Sequence, residues 1–140
     1  MKGREGLPKL LAYSHEITSP RDPASGQATG RRQHEPFRIV KHVNRASPGL
    51  LATMARNESL KSVTIDIWAI DRFGAERKII TYTLKNAQIV SLRSWMPNKS
   101  DTSAAGYPPA EEVAFVYEKI EVTWHDGGVK GEDDWFLRPQ

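Results

Sequence analysis

Cysteine is absent from the 140 residues, which excludes disulfide bonds and thiolate metal sites and leaves the redox compartment open. No apolar run approaches the ~20 residues that a membrane-spanning helix needs, so no membrane insertion is expected. The start, Met1-Lys2-Gly3-Arg4-Glu5-Gly6, lacks the apolar segment of a secretory signal. The chain is therefore expected to be made in the cytoplasm, and any export must use a signal-independent route. Catalytic patterns are missing as well: there is no helical His-Glu-x-x-His, no Gly-x-Ser-x-Gly elbow and no Walker-type glycine loop. The histidines, His15, His34, His42 and His125, fall on separate elements or loops, which is not the spacing of a ligand set. Aromatics are scarce where a nucleic-acid reader would interleave them with basic residues, since the basic N-terminal half holds only Tyr13 and Phe37. These absences predict no enzyme, no cofactor, no metal and no nucleic-acid partner.

Charge is present but unevenly placed. Residues 1–62 carry eleven Lys/Arg against five Asp/Glu, whereas residues 63–140 carry nine against twelve. A basic half and an acidic half suit nucleic acid, or a surface that docks on a copy of itself. The length fits one domain with a single core.

The clearest pattern runs from Leu60 to Leu92. Val63, Ile65 and Ile67 alternate with polar residues, as a half-buried strand requires. Asp71 to Glu76 is a turn in which Gly74 accepts positive φ. A second strand, Lys78 to Leu92, holds Ile80, Tyr82 and Leu84 in one phase and slips to Ala87 and Ile89, which predicts a bulge or bend near Asn86. Upstream, Leu7 to Ile17 reads as a strand with Leu11, Tyr13 and Ile17 inward, and Pro36 to Val43 as another with Phe37, Ile39 and Val43 in phase. One helix is expected: Ser47 as N-cap, Pro48 at its first position, Leu50, Leu51, Met54 and Ala55 on the face that meets the sheet, and Asn57 closing it in the left-handed conformation. Thr18 to Glu35 is rich in Pro, Gly and Ser and cannot build core, so it is expected to be a functional or disordered loop. Ser94 to Ala110 is irregular. Glu112 to Trp124 reads as one long strand with a bulge around Glu118-Lys119, and Asp126 to Trp135 as a solvated acidic tail. The expected fold class is mainly β, a small closed or nearly closed antiparallel β-barrel with one short α-helix.

Several short motifs share an order. Tyr13-Ser14-His15-Glu16, Arg21-Asp22-Pro23-Ala24-Ser25-Gly26, Gly30 through Phe37, and Ala46-Ser47-Pro48 with Leu50-Leu51 come first. Leu84-Lys85-Asn86-Ala87, Met96-Pro97, Tyr117-Glu118-Lys119-Ile120 with Thr123-Trp124, and Glu132-Asp133-Asp134-Trp135 follow. Together they resemble the haemolysin-coregulated protein (Hcp) family. That resemblance implies a structural role: six-subunit β-barrel rings stack into the inner tube of the bacterial type VI secretion system, with the sheath, spike and effector proteins as partners and secretion of the protein itself. It also implies that family chains begin with a further strand-and-turn segment, whereas this sequence starts at Met1-Lys2-Gly3-Arg4 without it. Such a start fits a late start codon, trimming or a shortened copy. On the resemblance, the loop acts between subunits or rings, with Arg21, Asp22, Arg31, Arg32 and His34 as contact residues. The alternative is a monomeric small β-barrel that binds a ligand or nucleic acid.

Overall fold

Alternation at Val63, Ile65 and Ile67 becomes one arm of a long antiparallel hairpin. A computed structural model describes residues 10–98, 100, 106 and 108–135. Its elements are β1 (Leu10–Ser14), β2 (Ile17–Thr18), β3 (Gln33–His34), β4 (Phe37–His42), α1 (Ser47–Ala55), β5 (Leu60–Ile70), β6 (Glu76–Trp95), β7 (Ala110–Val116), β8 (Lys119–Trp124) and β9 (Val129–Asp134). The chain is mainly β with one short helix. It divides into two compact units: Met1–Glu16, Pro36–Glu58 and Ile89–Val116 form the first, and Ile17–Glu35, Ser59–Gln88 and Tyr117–Gln140 the second.

In the first unit β1 pairs with β4 and β4 with β7, all antiparallel. Phe37, Val113 and Ala114 are fully enclosed there, with Phe115, Ile89 and Ala110 close behind. The sheet that carries these strands curls through 241° and remains an open half-barrel. Buried positions on β4 alternate, as expected for Phe37 and Ile39, but the third is Lys41. Its ammonium lies 2.5 Å from Glu111 Oε2, on the cross-strand neighbour, and also donates to the carbonyl of His42 and to Asn44 Oδ1. Val43, read as inward, is exposed, because β4 ends at His42. Leu11 and Tyr13 are exposed too. They stand on β1, which among the described residues is an edge strand paired with β4 alone, although the Tyr13 ring still stacks on Phe37 at 5.7 Å. Leu7 to Lys9 and much of 94–110 lie outside the described residues.

The helix forms where the sequence placed it, with a different anchor. Ala46 is the N-cap and Ser47 is already helical. The Ser47 hydroxyl accepts the Asn44 N–H and donates to Glu111 Oε2, so it ties the helix start to the buried ion pair. Asn57 closes the helix at φ 53°. No residue of α1 is buried, and Leu51 is 59% exposed. The expectation that Leu51 packs against the sheet therefore fails. Because surface substitutions away from special features change stability by less than about 0.5 kcal/mol, Leu51→Asp should melt within a degree or two of the parent. A large loss in a thermal melt would return the side chain to the core.

In the second unit β6 lies between β5 and β8, and β9 pairs with β8. Leu84 and Ala87 are fully buried, with Ile65, Tyr117 and Ile120 nearly so. Gly74 turns the β5–β6 hairpin at φ 80°. Asn86 does adopt a left-handed φ of 50°, and the buried phase changes from Leu84 to Ala87 across it. The β5 ladder nonetheless keeps its register there, and its shift falls between Ile67 and Trp68. The expected single strand over 112–124 is two strands, separated at Tyr117-Glu118, where the Glu118 N–H donates to the Lys85 carbonyl. Asp126 to Trp135 is no tail: Gly127 and Gly128, both at positive φ, turn the chain back into β9.

Candidate functional site

The loop between β2 and β3 builds its own shape. Arg21 bridges to Ala28, the Asp22 and Gln27 backbones and the Asp22 and Gly26 backbones bond at 2.8 Å, and the Thr29 N–H reaches the Pro20 carbonyl at 3.0 Å. Gly26 takes φ 74°. Asp22 closes the tip by accepting from the Ser25 hydroxyl at 2.8 Å and the Ala24 N–H at 3.2 Å. These bonds, the Ser25 hydroxyl first, hold its carboxyl below the ordinary range. Residues 23–29 are exposed throughout. The stretch is thus an ordered polar hairpin that buries nothing and satisfies its own backbone.

Where this hairpin meets the sheet, β3 and β9 bring together residues about a hundred positions apart. Arg32 makes a two-pronged contact with Asp133, Nε to Oδ2 at 2.8 Å and Nη2 to Oδ1 at 2.7 Å. This fork geometry is the strong form of a charge pair. His34, whose side chain is fully buried, sets Nε2 2.8 Å from Asp133 Oδ2 and Nδ1 2.6 Å from the Tyr117 hydroxyl. Trp135 stacks on the imidazole at 5.2 Å and 23°, and meets the Tyr117 ring edge-on at 5.4 Å. The Arg32 guanidinium in first place, with His34 adding to it, holds the Asp133 carboxyl below its usual range against the effect of burial. Burial, then the Asp133 charge, pushes the Tyr117 phenol well above its ordinary range. A surface cleft of about 490 Å³ opens beside the cluster, lined by Pro20, Thr29, Gly30, Arg31, Gln33 and Trp135 among others.

Of the five residues singled out from sequence, the structure joins two, Arg32 and His34, and both side chains are spent on Asp133 of their own chain. Arg21 and Asp22 sit at the hairpin, with Arg21 Nη1 reaching the Gly26 carbonyl at 3.5 Å. Arg31 is exposed at the cleft and has no ion-pair partner among the described residues. Sequence reasoning missed Asp133, Tyr117 and Trp135, all of which it had assigned to plain strand or solvated tail. Among the described residues no helix is long and apolar enough to cross a membrane, and no three His, Asp or Glu side chains converge as metal ligands.

A family model described as type VI secretion system effector, Hcp, matches residues 1–124. The chain belongs to the Hcp family. The major exported protein of Pseudomonas aeruginosa is 37% identical over 134 residues, which is 96% of this chain and 78% of that protein. A crystal structure of an Hcp protein superposes with a TM-score of 0.89 at 28% identity, covering 98% of this chain and 82% of the other. The secreted protein Hcp3 of Pseudomonas aeruginosa follows at a TM-score of 0.78 and 28% identity, covering 98% and 80%. Hcp is a family of structural, secreted proteins of type VI secretion rather than a family of enzymes. The strongly curled, open sheet with one short helix matches the Hcp fold.

Proposed function

We propose that this Hcp-family chain, acting as one domain, builds the inner tube of a type VI apparatus. Copies close into rings of six, the rings stack head to tail, the half-barrel closes, and the tube is exported as or with its effectors by a route that needs no signal peptide. One observation carries the stacking: the two ends of the β8–β9 hairpin differ in kind. At the Trp124↔Val129 end lie the turn at 125–128, tied to β6 by the His125 N–H donating to the Ile79 carbonyl, and the neighbouring β5–β6 turn. Ile70, Phe73 and Val129 are 73%, 79% and 65% exposed there. At the Lys119↔Asp134 end, six residues or ~20 Å along the strand, stand Trp135, the cleft and the loop. A subunit with two unlike ends makes heterologous contacts, which close into rings or propagate as stacks. Exposed apolar side chains at one end, facing a cleft with an aromatic wall and the unpaired Arg31 at the other, supply the knob and the pocket that such a joint needs.

Within that joint Arg21, Asp22 and Arg31 meet the neighbour, while Arg32 and His34 support the loop from inside. Native mass spectrometry with electron microscopy tests the reading. The expected species is a six-subunit ring that forms tubes at higher concentration and persists over a broad salt range. A folded chain that stays monomeric at tens of micromolar overturns it.

A further inference from the structure

The loop is shaped by its own hydrogen bonds, but those bonds say nothing about where it points. Among the described residues, Arg32 and His34 are the members of segment 19–34 whose side chains bond outside it. Its backbone is held by the β2–β3 ladder of two rungs, Ile17↔His34 and Thr18↔Gln33, and a two-stranded pairing this short is marginal alone. Three of the four side-chain hydrogen bonds that leave the segment end on one carboxylate, Asp133. We propose that Asp133 is the positioning residue of the assembly loop: it latches Arg32 and His34 to β9 and so presets the hairpin and the Arg31 cleft before a neighbour arrives.

This deepens the proposed tube joint and rests on it. The energetic logic is preorganisation. A loop held in its bound orientation loses little freedom when the joint forms. If the docking-ready fraction falls to about a tenth, the apparent affinity of the joint falls about tenfold. The planar fork of Arg32 makes the latch directional as well as attractive, which a lysine could not do. Trp135 stacks on His34 and the imidazole is fully buried, so its contact with Asp133 is screened less than an exposed pair would be.

The test uses the full chain and Asp133→Asn, which keeps the side-chain shape and removes the charge. Hydrogen exchange on unassembled subunits should be at least about tenfold faster at Thr29 and along the β2–β3 ladder, while the amides of Leu84 and Ile120 are unchanged. The concentration at which tubes appear should rise by a similar factor. Arg32→Gln should reproduce both effects from the other side of the latch, and Arg32→Lys should fall between it and the parent. Unchanged exchange in the loop overturns the latch and leaves the tube reading intact. Faster exchange with an unchanged tube threshold also overturns it, because the loop would then not be positioned for the joint. A parent chain that forms no tube defeats the tube reading and this inference together, whereas slowed assembly in both variants with an intact core supports it.

Discussion

Lys41→Met is expected to destabilise the subunit by about 3–5 kcal/mol, the range for removing one partner of a buried ion pair. Lys41 and Glu111 are 3% and 1% exposed and face each other across β4 and β7. Without the ammonium, Glu111 keeps only the Ser47 hydroxyl as a side-chain donor among the described residues, so a carboxylate is left in a site from which water is excluded. Against a total stability of about 5–15 kcal/mol for a domain, that loss is enough to populate unfolded chain at ordinary temperature. Glu111→Gln should cost less, because Lys41 retains the His42 carbonyl and Asn44 Oδ1 as acceptors. Replacing both, Lys41→Met with Glu111→Leu, should recover most of the stability, since well-packed apolar pairs replace buried ion pairs at little or no loss. Denaturant titration of the three variants reads the comparison directly. A Lys41→Met chain within about 0.5 kcal/mol of the parent would mean that water reaches Glu111.

That pair was visible in the sequence as a violation of pattern. Lys41 follows Phe37 and Ile39 at the buried spacing, and Glu111 precedes Val113 and Phe115 in the same way. Two opposite charges out of place in two apolar phases are a cross-strand pair waiting for a register, but the register is a tertiary fact and no local rule supplies it. The β5–β6 hairpin was legible because its signals are local: alternation, a glycine turn, and one residue that flips the phase. The acidic tail was misread although a signal stood there, Asp126-Gly127-Gly128 directly after a strand, which is hairpin chemistry. Composition outweighed it, because Gly131 and the run Glu132-Asp133-Asp134 look solvated when their partner on β3 is unseen. Leu51 failed for the opposite reason. Helical spacing predicts which side chains share a face, not whether anything covers that face within the subunit.

The same limit governs the loop, whose residues and exposure were legible and whose footing was not. Replacing Asp22–Gln27 by a two-glycine turn should leave the subunit folded and abolish tube formation. Arg21 and Ala28 already bridge as cross-strand neighbours, so a two-residue turn can join them without moving the arms. The bonds removed, Asp22 to Ser25, Ala24, Gly26 and Gln27, lie within the hairpin, and the excised residues bury no apolar surface. Shortening a loop changes closure entropy by only about 0.6 kcal/mol per halving. Circular dichroism and the melting midpoint should therefore match the parent, as should the Arg32–Asp133 and His34–Tyr117 contacts. Under the proposed stacking, what disappears is the loop surface that would meet the next ring, and a heterologous stack missing one of its two patches cannot propagate. Arg31→Glu, with the loop intact, tests the charge at the same joint: it should raise the tube threshold severalfold at low salt and less at high salt, because rim charges are screened. Long tubes from the shortened chain would show that the hairpin is not part of the joint, and unfolding of the shortened chain would show that it belongs to the core after all.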